Sequence, residues 1–122
     1  MPNDPSGQIL LEYTPEFKRN LRVLAKKYRH VRSDLQPVID QLHAGQIVGD
    51  QVPGTQFAIF KTRVRNSDIL KGKSSGYRVI YYLKEPIRII LVTIYSTLDQ
   101  GDISAAEIRR ILKEFSSSIQ NK

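Results

Sequence analysis

The sequence predicts an α+β domain, a small and mostly antiparallel sheet with helices packed on it. Three observations predict it. Residues 77–84 and 87–95 are rich in β-branched and aromatic side chains, and Glu85-Pro86 between them reads as a hairpin turn. The stretches after Thr14 and after Ser104 carry apolar residues at helical spacing behind clear start signals. The element order is then strand, helix, helix, three strands, helix, which is a sheet with segregated helices.

Each element has its own local reason. Residues 1–8, rich in Pro, Asn, Asp, Ser and Gly, read as a flexible tail, and residues 9–120 as one domain. Ile9 to Tyr13 is a short apolar run suited to a first strand. Thr14-Pro15 makes a helix start, Thr as N-cap and Pro at the first helical position. Phe17, Leu21, Leu24, Ala25 and Tyr28 then form one apolar face.

A break near His30 leads to a second helix. Ser33 reads as its cap, Leu35, Ile39 and Leu42 as its buried side, and Pro37 as a residue of about the first turn. Gly45 reads as its stop. The two helices should pair as a hairpin.

Residues 45–56 look like a loop with a turn at Pro53-Gly54. Phe57 to Arg65 alternates as a strand does. Ala58, Phe60, Thr62 and Val64 share one face; Lys61, Arg63 and Arg65 lie on the other. Asn66 to Gly76 is a polar loop. The near-continuous apolar character of the next two strands implies burial on both faces, hence central positions. In the last helix, Ser104 to Glu107 is a capping box, and Ile103 with Ile108 a hydrophobic staple. Ile108, Ile111, Leu112, Phe115 and Ile119 are its inward stripe.

Composition bounds the function. The chain has 122 residues and a net charge of +7. Residues 61–90 hold eight cations against Asp68 and Glu85, a net of +6. A focused basic field is what a polyanion binds. There is no cysteine, which removes disulfides, thiolate metal sites and cysteine nucleophiles, and fits a reducing cytoplasm. No apolar run approaches the length of about 18 residues that spans a membrane, and MPNDPSGQ does not read as a secretory signal.

His30 and His43 lack acidic or cysteine partners at ligand spacing, so no metal site is expected; His43 suits a helix C-terminus. No P-loop or dinucleotide glycine motif is present, and the acids show no standout pair. Strand spacing instead places Lys61, Arg63 and Arg65 in one row. Lys71 and Lys73 follow in the loop, and Arg78 opens the next strand beside that row. Such cations make a phosphate site, Arg by forked hydrogen bonds and Lys by compact charge. The same row also reads as a solvated strand face. Tyr81, Tyr82 and Tyr95 read as core residues, with base stacking as the other possibility.

Several motifs, taken in order, carry a family resemblance. Phe60-Lys61-Thr62-Arg63-Val64-Arg65, a glycine-lysine loop, and Ser75-Gly76-Tyr77-Arg78-Val79-Ile80-Tyr81-Tyr82 resemble the RelE-type toxins of bacterial toxin–antitoxin pairs, in particular the HigB-like branch of the RelE/ParE superfamily. Leu91 to Ser96, Gly101 to Ser104, Gly49-Asp50 and Pro53-Gly54-Thr55 agree, so the likeness covers about residues 9–115.

The resemblance implies a RelE-like fold and a metal-independent, cofactor-free endoribonuclease. Such an enzyme enters the ribosome, cuts mRNA by attack of a 2′-hydroxyl on the adjacent phosphate, and so inhibits translation. It implies three catalytic residues: Arg78 on the phosphoryl oxygens, Lys61 as base, and Arg63 as charge stabiliser. Arg65, Lys71 and Lys73 would hold RNA phosphates. The implied partners are a cognate acidic antitoxin, the ribosome and mRNA, with no membrane.

After the fourth strand the chain reads Ser96-Thr97-Leu98-Asp99, where many members carry a basic residue, so no leaving-group acid is assigned. Two other readings stay open: a ParE-like inhibitor of DNA gyrase, and a non-catalytic RNA-binding module or degenerate toxin.

Overall fold

The computed structural model describes residues 9–69 and 76–120, with the side chains of 118–120 excepted. Its elements are β1 (Leu10–Tyr13), α1 (Pro15–Lys27), α2 (Val31–His43), β2 (Asp50–Gln51), β3 (Ile59–Arg65), β4 (Gly76–Glu85), β5 (Arg88–Ser96) and α3 (Ala105–Gln120). The expected tail at 1–8, Lys71 and Lys73 lie outside the described residues, as does the side chain of Ile119. No helix among the described residues is long and apolar enough to cross a membrane.

The five strands form one sheet in the order β1-β5-β4-β3-β2. β1 runs parallel to β5, and every other pair is antiparallel. The α+β class is therefore as the sequence predicts, and β4 and β5 are central. One face is covered by α1 and α2, whose Phe17, Leu24, Val31, Leu35 and Leu42 pack with Tyr77, Val79, Tyr81, Ile89 and Leu91. The other face is covered by α3, whose Ile108, Ile111 and Leu112 pack on Ile59, Ile80, Ile90 and Val92. Burial of such side chains contributes about 1.5–3 kcal/mol each.

α1 starts where Thr14 and Pro15 predict. The Thr14 hydroxyl accepts from Phe17 N at 3.0 Å and donates to Val92 O at 2.7 Å, so the cap also pins the helix to β5. α3 starts behind Ser104, whose Oγ accepts from Glu107 N. The capping box is only half made, because Glu107 turns to Arg110 instead of back to the cap.

Two expectations change. α2 begins at Val31 rather than behind Ser33, and Ser33 Oγ donates to His30 O inside the first turn. The cap comes from a distant carboxylate: Asp68 accepts from His30 N at 2.9 Å. Pro37 consequently sits in the second turn, on the exposed side of the helix.

The expected 45–56 loop also contains β2, whose Asp50 and Gln51 pair with Lys61 and Phe60. Gly49 makes that pairing possible. Its φ is +86°, and a Cβ there would lie 2.2 Å from Lys61 O. The loop is held from beneath by the Tyr81 hydroxyl, which accepts from Val48 N at 2.9 Å and donates to Val48 O.

Candidate active site

α3 does not cover its whole sheet face. Beyond its N-terminus the far ends of β3, β4 and β5 remain open, and the 97–104 segment walls them in. Cross-strand register sets what lies there. Arg63 pairs with Arg78, and Arg78 pairs with Tyr95, so three strands present one lateral row. Lys61, two residues from Arg63 on β3, stands on the same face. Lys61, Arg63, Arg78 and Tyr95 line one cavity of ≈ 420 Å³, together with Asp50, Thr97, Gln100, Gly101 and Asp102.

The three catalytic residues expected from the sequence are thus brought together from two strands. Arg65 continues the row on β3 but does not line the cavity. Lys84 and Arg88 belong to a different hollow, between Phe57, Tyr82 and the C-terminal half of α3. Arg88 is committed besides, since Nε donates to Glu12 Oε1 at 2.9 Å and so ties β5 to β1.

Lys61 Nζ donates to both carboxylate oxygens of Asp102, at 2.8 and 2.9 Å. The Tyr95 hydroxyl donates to Asp102 Oδ1 at 3.1 Å, and Ile103 N donates to the same atom at 3.2 Å. Three groups therefore converge on one carboxylate through four hydrogen bonds. Lys61 and Tyr95 hold the Asp102 carboxyl below its ordinary range, the lysine contributing most. The Tyr95 hydroxyl is pushed up to about 12, first by burial and then by its bond to Asp102. Tyr95 keeps its proton at neutral pH. Its ring is 5% exposed and belongs to the core under α3, so it is both the core residue the sequence predicts and a site residue.

By contrast, no carboxylate among the described residues lies within ion-pair distance of Arg63, Arg65 or Arg78. Among the described residues, Arg78 Nη1 donates only to the neighbouring Tyr77 O, at 3.3 Å. The cavity holds two guanidinium groups with free donors, one lysine steadied by a carboxylate, and one protonated phenol. That set can bind a phosphodiester and offer it a proton.

Sequence reasoning missed the site roles of Asp102 and Tyr95. The signal was present in the hairpin. Counting outward from the two-residue turn at Pro86-Ile87 pairs Arg78 with Tyr95, as the structure does. Lys84 is the extra residue on β4 and Val92 the extra residue on β5, and the two irregularities cancel. Asp102 has no such signal, because the 97–104 segment takes its place from contacts with the sheet. Compared with known proteins, the sequence matches no family model and no curated protein.

Proposed function

We propose that this protein has a RelE-like fold and acts as the toxin of a toxin–antitoxin pair, a ribosome-dependent, metal-independent mRNA endoribonuclease. What supports the reading is the convergence of Lys61, Arg63 and Arg78 in one open cavity beside a protonated phenol. These are the residues the family resemblance selects, and they lie up to 17 positions apart in the chain.

Arg78 and Arg63 bind the non-bridging oxygens and take up the charge that builds there in the transition state. Lys61 passes a proton to the Asp102 carboxylate and takes up the 2′-hydroxyl proton as that oxygen attacks phosphorus. The 5′-oxygen leaves as its bond to phosphorus breaks, and the Tyr95 hydroxyl, protonated and lining the same cavity, supplies its proton. This assignment fills the leaving-group role that the sequence comparison left empty.

An acidic antitoxin that covered the cavity would silence it by charge and by occupancy. Arg65 would extend the RNA track beyond the cavity, and Lys71 and Lys73 are the other residues the resemblance gives to RNA phosphates.

The test is to induce the protein in cells and map mRNA ends, with Arg78→Ala as control. The expected result is cleavage within translated messages, lost in the variant. Toxicity without cuts favours the gyrase reading; neither toxicity nor cuts leaves a binding module.

A further inference from the structure

Next to the cationic cavity lies a second one of opposite character. It encloses ≈ 340 Å³ and shares Tyr95, Gln100 and Asp102 with the first, so the two adjoin along those residues. Its own walls come from Glu16, Asn20, Thr93 and the start of α3. Its lining contains no lysine or arginine. Glu16 and Glu107 are paired with Arg110, and Glu16 also lies 3.6 Å from Arg19, so the cavity offers a phosphate no lining cation and offers a neutral group hydrogen-bond acceptors.

The hydrogen bonding is specific. Asn20 Nδ2 donates to Thr93 Oγ1 at 3.0 Å and to Ile94 O at 3.3 Å. A carbonyl oxygen only accepts, which fixes the amide orientation and leaves Asn20 Oδ1 as an acceptor unused among the described residues. Thr93 Oγ1 meets Glu16 Oε2 only at 3.5 Å, while Glu16 Oε1 is taken by Arg110. That arginine also binds Glu107 and Glu114, so it ties α1 to α3 across the back of the cavity. The extra residue at Val92 is what turns Thr93 onto this face, opposite Ile80. Glu16 Oε2 and Asn20 Oδ1 remain as acceptors for a ligand, and the Gln100 side-chain amide makes no hydrogen bond among the described residues.

We propose that this second cavity reads the nucleobase attached to the ribose whose phosphate occupies the first, and that it prefers guanine. The proposal rests on the nucleotide reading of the cationic cavity. Guanine presents adjacent N1–H and N2–H donors to two acceptors and its O6 to an amide donor. Uracil presents one N–H between two acceptor oxygens, which would face Glu16.

The experiment is an NMR titration of the whole chain with 3′-GMP, 3′-UMP and inorganic phosphate. Phosphate should move signals of the Arg63 and Arg78 strands alone. The nucleotide 3′-GMP should also move the Asn20 side-chain amide and bind about tenfold tighter than 3′-UMP, the scale of a two-point base contact. Glu16→Gln should erase that preference while phosphate binding stays as in wild type. Equal binding of the two nucleotides, or an unmoved Asn20 amide, overturns the proposal, as does failure of all three ligands to bind. The ribonuclease reading fails by a different sign: no cleavage of translated mRNA with the guanine preference intact, which supports the pocket and removes the chemistry.

Discussion

At the scale of single residues, the site depends on one carboxylate and one phenol. Tyr95→Phe removes a single oxygen and leaves the ring in the core. If Tyr95 protonates the leaving oxygen, the variant should lose about 10²–10⁴-fold in cleavage rate, with RNA affinity nearly unchanged. Single-turnover cleavage on programmed ribosomes checks this, and an unchanged rate would move the acid elsewhere.

Asp102 also leaves a trace in stability. Its folded pKa lies below the unfolded value of 3.8, so its contribution is present above about pH 4 and is lost as pH falls through the lower folded value. Asp102→Asn should flatten that part of the acid-unfolding curve. The carboxylate is well exposed, so salt should shrink the difference. At this scale the sequence was legible for cations and not for their partners. Strand spacing alone aligns Lys61 with Arg63, whereas Asp102 reaches Lys61 across 41 positions through an irregular segment whose path no local pattern sets.

At the scale of elements, the boundaries that follow from local chemistry are the ones the sequence predicts. Thr14-Pro15 and Ser104 mark helix starts because each cap bonds within its own first turn. The start of α2 is different, since its cap is Asp68, in the loop after β3. β2 was hidden for a similar reason: two polar residues have no strand signal until Gly49 seats them on β3. Two substitutions test these accounts. Thr14→Ala removes the α1 cap and a buried bond to β5, and should cost about 1–2 kcal/mol in a denaturant melt. Gly49→Ala places a methyl against the Lys61 carbonyl at positive φ, and should cost about 1–3 kcal/mol. Its second expected effect is on cleavage, because the strand it displaces carries Lys61.

At the scale of the molecule, the sheet redistributes a charge that the sequence shows only as a run. Residues 61–90 carry +6. Folding sends Lys84 and Arg88 to the hollow beside the C-terminal half of α3, leaves Arg63 and Arg78 free in the cavity, and sets Asp102 against Lys61. The fold class was legible because alternation, turn residues and helical spacing all point one way. The effective charge of the site was not, because it depends on which acids the tertiary structure returns to it. This partition predicts how RNA binding responds to salt. Each phosphate contact contributes about −0.7 to the slope of log K against log salt for single-stranded RNA, so Arg63 and Arg78 together should supply about −1.4 of it. Arg63→Ala should make the slope shallower by about 0.7. Asp102→Asn frees Lys61 and should steepen it by about 0.7, so this variant binds RNA more tightly at low salt. It should nonetheless cut more slowly, because the carboxylate that steadies Lys61 and Tyr95 is gone. Tighter binding with slower cleavage separates a proton-transfer site from a simple cationic patch. In a simple patch, deleting an acid would strengthen binding and leave nothing else to lose.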